Sequence, residues 1–291
     1  MLVWLNGRFL PARDAVVSAL DRGLLHGDGA YDTWRTYGGR PFAVAAHLRR
    51  LAAAARVLEL PAPGPVAPWE RRSRLLVARN RLADAAIRLT ITRGAAGAGL
   101  APDVRARPTL LLVARRLPAT LARRQARGVA AVALPFPRDA GPPWGALKLV
   151  GHASAVVGRL VAARRRAHEA VYVTPDGEVT EGVTSNVFLV ERGTLVTPPR
   201  SCGILPGVTR AIVIELARAA GVGVREERVA LARLRRAREV FLSASTIEVL
   251  PVVRLDGRAV GDGRPGAVTR RLQEAFRARV RTALRTADRT G

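Results

Sequence analysis

Lysine is almost absent from this chain of 291 residues. Lysine and arginine together number 48, yet Lys148 is the only lysine. A coding bias toward arginine accounts for the other cations, because either residue serves on a hydrated face. Arginine cannot replace a lysine that does covalent chemistry: the guanidinium, with a pKa above ~12, is not deprotonated in proteins, whereas an amine can be tuned into a nucleophile. A drift that spares one lysine marks Lys148 as a candidate reactive amine.

Cysteine is equally scarce. Cys202 stands alone, which excludes an internal disulfide and agrees with a reducing compartment. No Cys/His spacing suits a metal, and no G-x-S-x-G motif occurs. No window approaches the ~20 uninterrupted apolar residues of a membrane helix. The opening Met1-Leu2-Val3-Trp4 lacks the charged and apolar regions of a signal peptide, so a cytoplasmic protein without a membrane partner is expected. Acidic residues number only 23, which leaves a formal net charge of +25. A surface this basic attracts polyanions, so the non-enzyme alternative is a nucleic-acid-associated protein. Against it, the arginine pairs are scattered from Arg49-Arg50 to Arg270-Arg271, no basic tail exists, and aromatic residues make up only 4%, too few for a stacking ladder. Nonspecific polyanion binding at low salt is expected, and no specific nucleic acid.

The length and the 48% of hydrophobic residues supply two cores. The most informative stretch runs from Glu181 to Arg210. Glu181 ends a strand; Asn186–Val190 and Thr194–Thr197 read as a hairpin turning at Arg192-Gly193. Pro206-Gly207 then turns the chain. Val208, Ile212, Val213 and Leu216 recur at helical spacing, so Val208, Thr209 and Arg210 open a helix whose first amides favour a phosphate.

This stretch resembles the signature of the class IV aminotransferases, the pyridoxal-phosphate enzymes of fold type IV: an E-x-x-x-x-N-x-F element running through a hairpin into an L-x-G-x-T-R helix start. The resemblance implies that Glu181 faces the ring nitrogen of pyridoxal 5'-phosphate and that the Val208 and Thr209 amides hold its phosphate. Val183 departs from the small residue usual at its position. Lys148 lies upstream of Glu181, as the family's cofactor lysine does. Residues Leu149 to Ala153 lack the Asn or Tyr that often follows that lysine, which leaves a cofactor contact for another group, such as His152, to replace.

Further matches spread over most of the chain. Asp21–Tyr31, DRGLLHGDGAY, resembles a segment at the substrate side of the cofactor, placing Tyr31 and Thr33 there. The H-x-x-R-L element of the helix Ala45–Leu60 resembles the family's phosphate-contacting arginine, which maps to Arg50; its planar fork suits a phosphate. Arg88, on the strand Ala86–Thr92, matches a basic substrate-side position of branched-chain aminotransferases. In the Gly-rich loop after that strand, the D-amino-acid subgroup has Arg and His where this chain has Ala98 and Leu100. Ser245-Thr246 matches the small hydroxyl pair at the phosphate. Gly261-x-Gly263-x-x-Gly266 follows a hairpin and contains Pro265, so it is no dinucleotide site.

The expected architecture is α/β, with a small N-terminal α/β domain (1–116), a linker (117–127) and a larger cofactor-binding, barrel-like domain (128–291). Family members are generally homodimers, and a homodimer acting on a small amino substrate is implied here. In the mechanism so implied, Lys148 holds the cofactor and moves the α proton, while Glu181 keeps the ring nitrogen protonated. Thr33 and Val183 resemble 4-amino-4-deoxychorismate lyases, which eliminate pyruvate to leave 4-aminobenzoate, and the reading leans that way, with Thr33 assisting the leaving oxygen. Arg88 and the glycine-rich loop favour the alternative, a branched-chain or other amino-acid transaminase.

Overall fold

A computed structural model describes residues 1–95, 97, 99–103, 105–138 and 144–289, without the side chains of 286–289. Two units emerge, Met1–Leu117 with Leu147–His152, and Pro118–Ala146 with Ala153–Gly291.

In the first unit, β1 (Leu2–Leu5) and β2 (Arg8–Pro11) form the hairpin expected from Asn6-Gly7. Both turn residues have positive φ, 45° and 97°, as a tight hairpin turn matched to the strand twist requires. A single helical turn, α1 (Arg22–Leu25), follows, with the Asp21 side chain accepting from the Gly23 amide at 2.8 Å. Then come β3 (Gly29–Tyr37), β4 (Arg40–Pro41), α2 (Val44–Val57), α3 (Val66–Arg79), β5 (Ala85–Thr92) and β6 (Thr109–Arg116). The strands pair antiparallel in the order β2-β1-β6-β5-β3-β4. Helix α3 accommodates Pro68 because it falls in the first turn, where a missing N–H breaks no intrahelical bond. Helix α2 stops at Val57, short of the expected Leu60.

Alternation along β5 divides the sheet into two faces. Ala85, Ile87, Leu89 and Ile91 enter a core with Trp34, Leu48, Leu51 and Leu76 from β3, α2 and α3. Ala86, Arg88, Thr90 and Thr92 take the opposite face. Leu147–His152 belongs to this unit although it lies far along the chain. Its backbone runs antiparallel beside the start of β3: Tyr31 N–H donates to Lys148 C=O at 2.9 Å, Val150 N–H to Gly29 C=O at 3.0 Å, and Leu149 bridges Ala30. The one lysine is thereby built into the sheet of the first unit, on the far side of the boundary expected near residue 128.

The second unit begins with α4 (Leu121–Arg127), a helix in the segment expected to be a linker. It continues through β7 (Val129–Ala133), α5 (Ala153–Arg164), β8 (Glu169–Val173), β9 (Glu178–Gly182), β10 (Asn186–Glu191), β11 (Thr194–Thr197) and α6 (Val208–Ala219). The remaining elements are β12 (Val224–Glu226), β13 (Val229–Ala230), α7 (Leu231–Arg236), β14 (Glu239–Ala244), β15 (Glu248–Leu255), β16 (Arg258–Ala259) and α8 (Ala267–Arg289). Nine strands order as β12-β11-β10-β14-β15-β7-β8-β9-β13, with β16 on β15. The β11/β12, β15/β7 and β7/β8 pairs are parallel. Strands β10 and β14 are buried on both faces, which explains their nearly continuous apolar sequences. Phe188 and Phe241 stack 4.8 Å apart on one face, where Val213 and Leu272 cover them; Val187, Leu189, Val240 and Leu242 fill the other.

No described helix is long and apolar enough to cross a membrane. The glycines of 261–266 precede α8, whose Val268 and Thr269 amides donate to the Glu239 carboxylate at 3.1 and 2.8 Å. An internal carboxylate already satisfies that helix start, and a Cβ at Gly266 would lie 2.0 Å from the Glu239 carboxyl carbon.

One histidine in the second unit opposes acid stability. Burial pushes His168 down to a pKa of about 4, with Arg124 and Arg159 adding like-charge repulsion. The unfolded chain, with an imidazole near ~6.5, binds this proton first, so stability falls as pH drops from about 7 toward 4. His168→Gln is expected to flatten that part of the melting-temperature profile, measured calorimetrically against pH.

Candidate active site

The β3/β5 register places the substrate-side candidates. Tyr31 stands opposite Thr90 and Thr33 opposite Arg88, and directly paired residues project to the same face. The Arg88 guanidinium lies 3.6 Å from the Tyr31 ring centroid, and its Nε donates to Thr90 Oγ1 at 3.2 Å. Burial pushes the Arg88 pKa down, Tyr31 opposes this and Arg115 adds to it; a guanidinium so far from neutrality keeps its charge. The Lys148 ammonium reaches the same ring, 4.7 Å from its centroid. His152 packs edge-on against Tyr31 at 5.0 Å. Lysine, arginine, tyrosine and histidine thus converge on one end of β3, together with half-buried Thr33. On the neighbouring strand, Leu111 and Val113 pair with Thr90 and Arg88 and add half-buried apolar surface to that face.

The other face of β3 holds a group that motif reading missed. Asp32 is completely buried, and its carboxylate is gripped by α2. His47 Nδ1 lies 2.8 Å from Oδ1, Arg50 Nε donates to Oδ2 at 2.8 Å, and Arg50 Nη2 donates to Oδ1 at 2.8 Å. The Thr33 amide adds a donor to Oδ1 at 2.6 Å. Burial alone would raise the Asp32 carboxyl, but His47 and Arg50 outweigh it and hold it well below the usual carboxylate range. His47 is itself buried, and burial pushes its pKa down despite Asp32, with the Arg50 and Lys148 cations pushing the same way. The imidazole is therefore neutral near pH 7, and Nδ1 carries the hydrogen, because an ionised carboxylate can only accept. A usable sequence sign existed: Asp32 has the same strand parity as Ala30, Trp34 and Thr36, and His47 and Arg50 are three apart on one helical face.

In the second unit, Glu181 is 4% exposed on β9. Its Oε2 accepts from the Leu205 amide at 3.1 Å and from Asn186 Nδ2 at 3.4 Å, and its Oε1 pairs with Arg138 Nη1. Asn186 Nδ2 also donates to Leu205 C=O at 3.0 Å. The E-x-x-x-x-N spacing thus clamps the chain entering α6 against the strand bend between β9 and β10. Gly207 is required there, since a Cβ would sit 2.0 Å from Asn186 Oδ1. Arg138 was not found from sequence, because it lies in an aperiodic stretch with no spacing that links it to Glu181.

Helix α6 opens with Val208 and Thr209, whose amides lie in a first turn that has no intrahelical acceptors. Arg210 has a structural role: it is buried and donates to Pro198 C=O at 2.9 Å and to Glu226 at 2.8 Å. Ser245 and Thr246 form the half-buried turn between β14 and β15. Because β14 runs antiparallel to β10 with Ser243 opposite Asn186, that turn leaves the same sheet end as the Glu181–Asn186 bend. The unit assembles, near one sheet end, a buried carboxylate, two hydroxyls and a helix start. This unit by itself thus offers an acceptor that suits a protonated ring nitrogen, and N–H and O–H donors that suit a phosphate.

Known proteins of this kind are similar over nearly the whole length. A Methanocaldococcus jannaschii protein named as a candidate branched-chain-amino-acid aminotransferase is 35% identical, over 95% of this chain and 96% of its own. The D-alanine aminotransferase of Staphylococcus aureus is 32% identical, over 94% and 96% respectively. Among solved structures, the branched-chain amino acid aminotransferase of Escherichia coli superposes with a TM-score of 0.89 at 31% identity, covering 95% of this chain and 93% of that one. A hypothetical aminotransferase from Mycobacterium tuberculosis, solved in a PLP-bound form, gives 0.83 at 28% identity, covering 95% and 99%. Residues 29–255 match the family described as amino-transferase class IV, and with that match over most of its length the chain belongs to the class IV aminotransferases.

Proposed function

We propose that this protein is a pyridoxal-phosphate-dependent transaminase that exchanges the amino group of an apolar L-amino acid, branched-chain substrates first, with a 2-oxo acid. The observation that carries the reading is the placement of Lys148: the chain's only amine side chain is pinned by backbone pairing to β3, with its ammonium over Tyr31. When bound, pyridoxal phosphate supplies an electron-accepting ring that lets the α C–H bond of an amino acid ionise.

The residues of this chain divide the remaining work. Lys148 Nζ would hold the cofactor and, when free, would take the proton from the substrate Cα. Glu181 would present a carboxylate to the ring nitrogen, held in its buried position by Arg138 and by the Leu205 and Asn186 donors. Arg50, the Val208 and Thr209 amides and the Ser245 and Thr246 hydroxyls hold the phosphate. Arg88 beside Tyr31 meets the substrate carboxylate, and Leu111 and Val113 offer an apolar surface for its side chain. His152 supports Tyr31 by ring packing.

The substrate class rests on three supports: the apolar residues beside Arg88, the aminotransferase names of the similar proteins, and Leu100, where the D-amino-acid subgroup has His. Position 98, an alanine in place of the subgroup's Arg, lies outside the described residues. The lyase reading keeps Thr33 and Val183 in its favour, but the similar proteins named above are aminotransferases, which favours the transaminase. A second copy of the chain is the partner we propose, as is general in the family.

The test is a substrate panel. L-Leucine, L-isoleucine and L-valine with 2-oxoglutarate are expected to turn over, and D-alanine only weakly. Release of 4-aminobenzoate from aminodeoxychorismate, with no turnover of the branched-chain substrates, would restore the lyase reading. Borohydride is expected to fix the cofactor on Lys148 alone, as read by peptide mass, and Lys148→Arg should abolish both the label and turnover. Glu181→Gln should retain cofactor but slow Cα proton removal by ~10²-fold, because an amide stabilises a protonated ring nitrogen far less than a carboxylate; the deuterium isotope effect on single-turnover absorbance reports that step.

A further inference from the structure

Asp32 has no place in the reading above, yet it is the most completely enclosed charge in the first unit. A buried carboxylate is retained only where donors compensate its lost hydration. Here four donors converge on two oxygens: His47 Nδ1, Arg50 Nε, Arg50 Nη2 and the Thr33 amide. Two of the four belong to one guanidinium, and they engage both carboxylate oxygens. That fork fixes the plane of the guanidinium as well as its position.

We infer that Asp32, steadied by His47, is the positioning residue that aims Arg50 at the cofactor phosphate, an inference that rests on the phosphate role proposed for Arg50. With Nε and Nη2 committed to the carboxylate, the planar group turns Nη1 away from Asp32. Orientation comes at an electrostatic cost, because the paired carboxylate offsets part of the charge Arg50 offers a dianion. Orientation is the larger effect, since an arginine without its anchor has its rotamer entropy to lose on every binding event. His47 completes the device as a neutral donor. It holds Oδ1 from the same helix that carries Arg50, so carboxylate, imidazole and guanidinium move as one body with β3 and α2. The same strand carries Tyr31, whose backbone holds Lys148. The amine and the phosphate cation are therefore indexed to adjacent residues, Tyr31 and Asp32.

The device predicts a selective loss. Pyridoxal and pyridoxal phosphate differ only in the phosphate, so the ratio of their dissociation constants isolates it. In Asp32→Asn, titrated as apoprotein by absorbance and fluorescence, pyridoxal phosphate affinity is expected to fall about 10-fold or more while pyridoxal affinity stays within about 2-fold, as for loss of one hydrogen-bonded charge partner. Asp32→Asn added to Arg50→Gln should then cost nothing further in that ratio. Equal losses for both ligands would mean that Asp32 merely supports the fold. Tighter phosphate binding in Asp32→Asn would mean that it attenuates Arg50; either result overturns the inference. Should Asp32→Asn fail to fold as apoprotein, Arg50→Lys decides, because it keeps the cation and loses the fork: a reduced ratio supports the device, and an unchanged one overturns it. If Arg50→Gln itself leaves the ratio unchanged, the phosphate reading of Arg50 fails; if only Asp32→Asn does so, that reading stands and the positioning role falls.

Discussion

The antiparallel pairing of Gly29–Tyr31 with Leu149 and its neighbours is the interaction on which the proposed chemistry depends. Through it, a segment remote in sequence joins the sheet edge at the start of β3. Without it, Lys148 would be an ordinary loop lysine with a free choice of rotamers. With it, the Lys148 backbone is tied to Tyr31, and the ammonium lies over that ring. A backbone bond suits this task, since it indexes position without needing any particular side chain at the flanking residues.

Buried charge organises both units in a similar way. Asp32 in the first and Glu181 in the second are each almost fully enclosed, and each accepts from a guanidinium and a backbone amide. Glu169 follows the same pattern: it takes the Thr184 hydroxyl at 2.8 Å, the Ala170 amide at 3.1 Å and Arg159 at 3.3 Å. Such groups add little net stability, because desolvation offsets most of the attraction. Their effect is geometric, since a buried carboxylate restricts its partners to one arrangement. That is useful where an arginine or a ring nitrogen has to be met at a fixed angle.

The arginine bias that shapes the surface also bears on the site. At positions 50, 88 and 138 arginine brings a planar, forked donor group that a lysine would not. The one lysine stands at the position proposed above to need an amine.

Much of this protein follows from local sequence. Asn6-Gly7, Arg192-Gly193 and Asp256-Gly257 mark their hairpins because those turns need positive φ, and all six residues adopt it. The start of α6 follows from Pro206-Gly207 and the helical spacing beyond, and the family is legible in the Glu181–Arg210 motif because its parts are close in sequence. Lys148 stood out by its scarcity and by its place upstream of Glu181. What the sequence left open was every relation between distant segments: that Lys148 pairs with the first sheet, that Leu121–Arg127 is a helix, that Arg138 meets Glu181, and that Arg50 is forked by Asp32. Turn and helix signals reside in a few neighbouring residues and the dihedral angles these permit. Charge pairing depends on which chain segments packing brings together, and that is decided only when strands from opposite ends of the chain share a sheet.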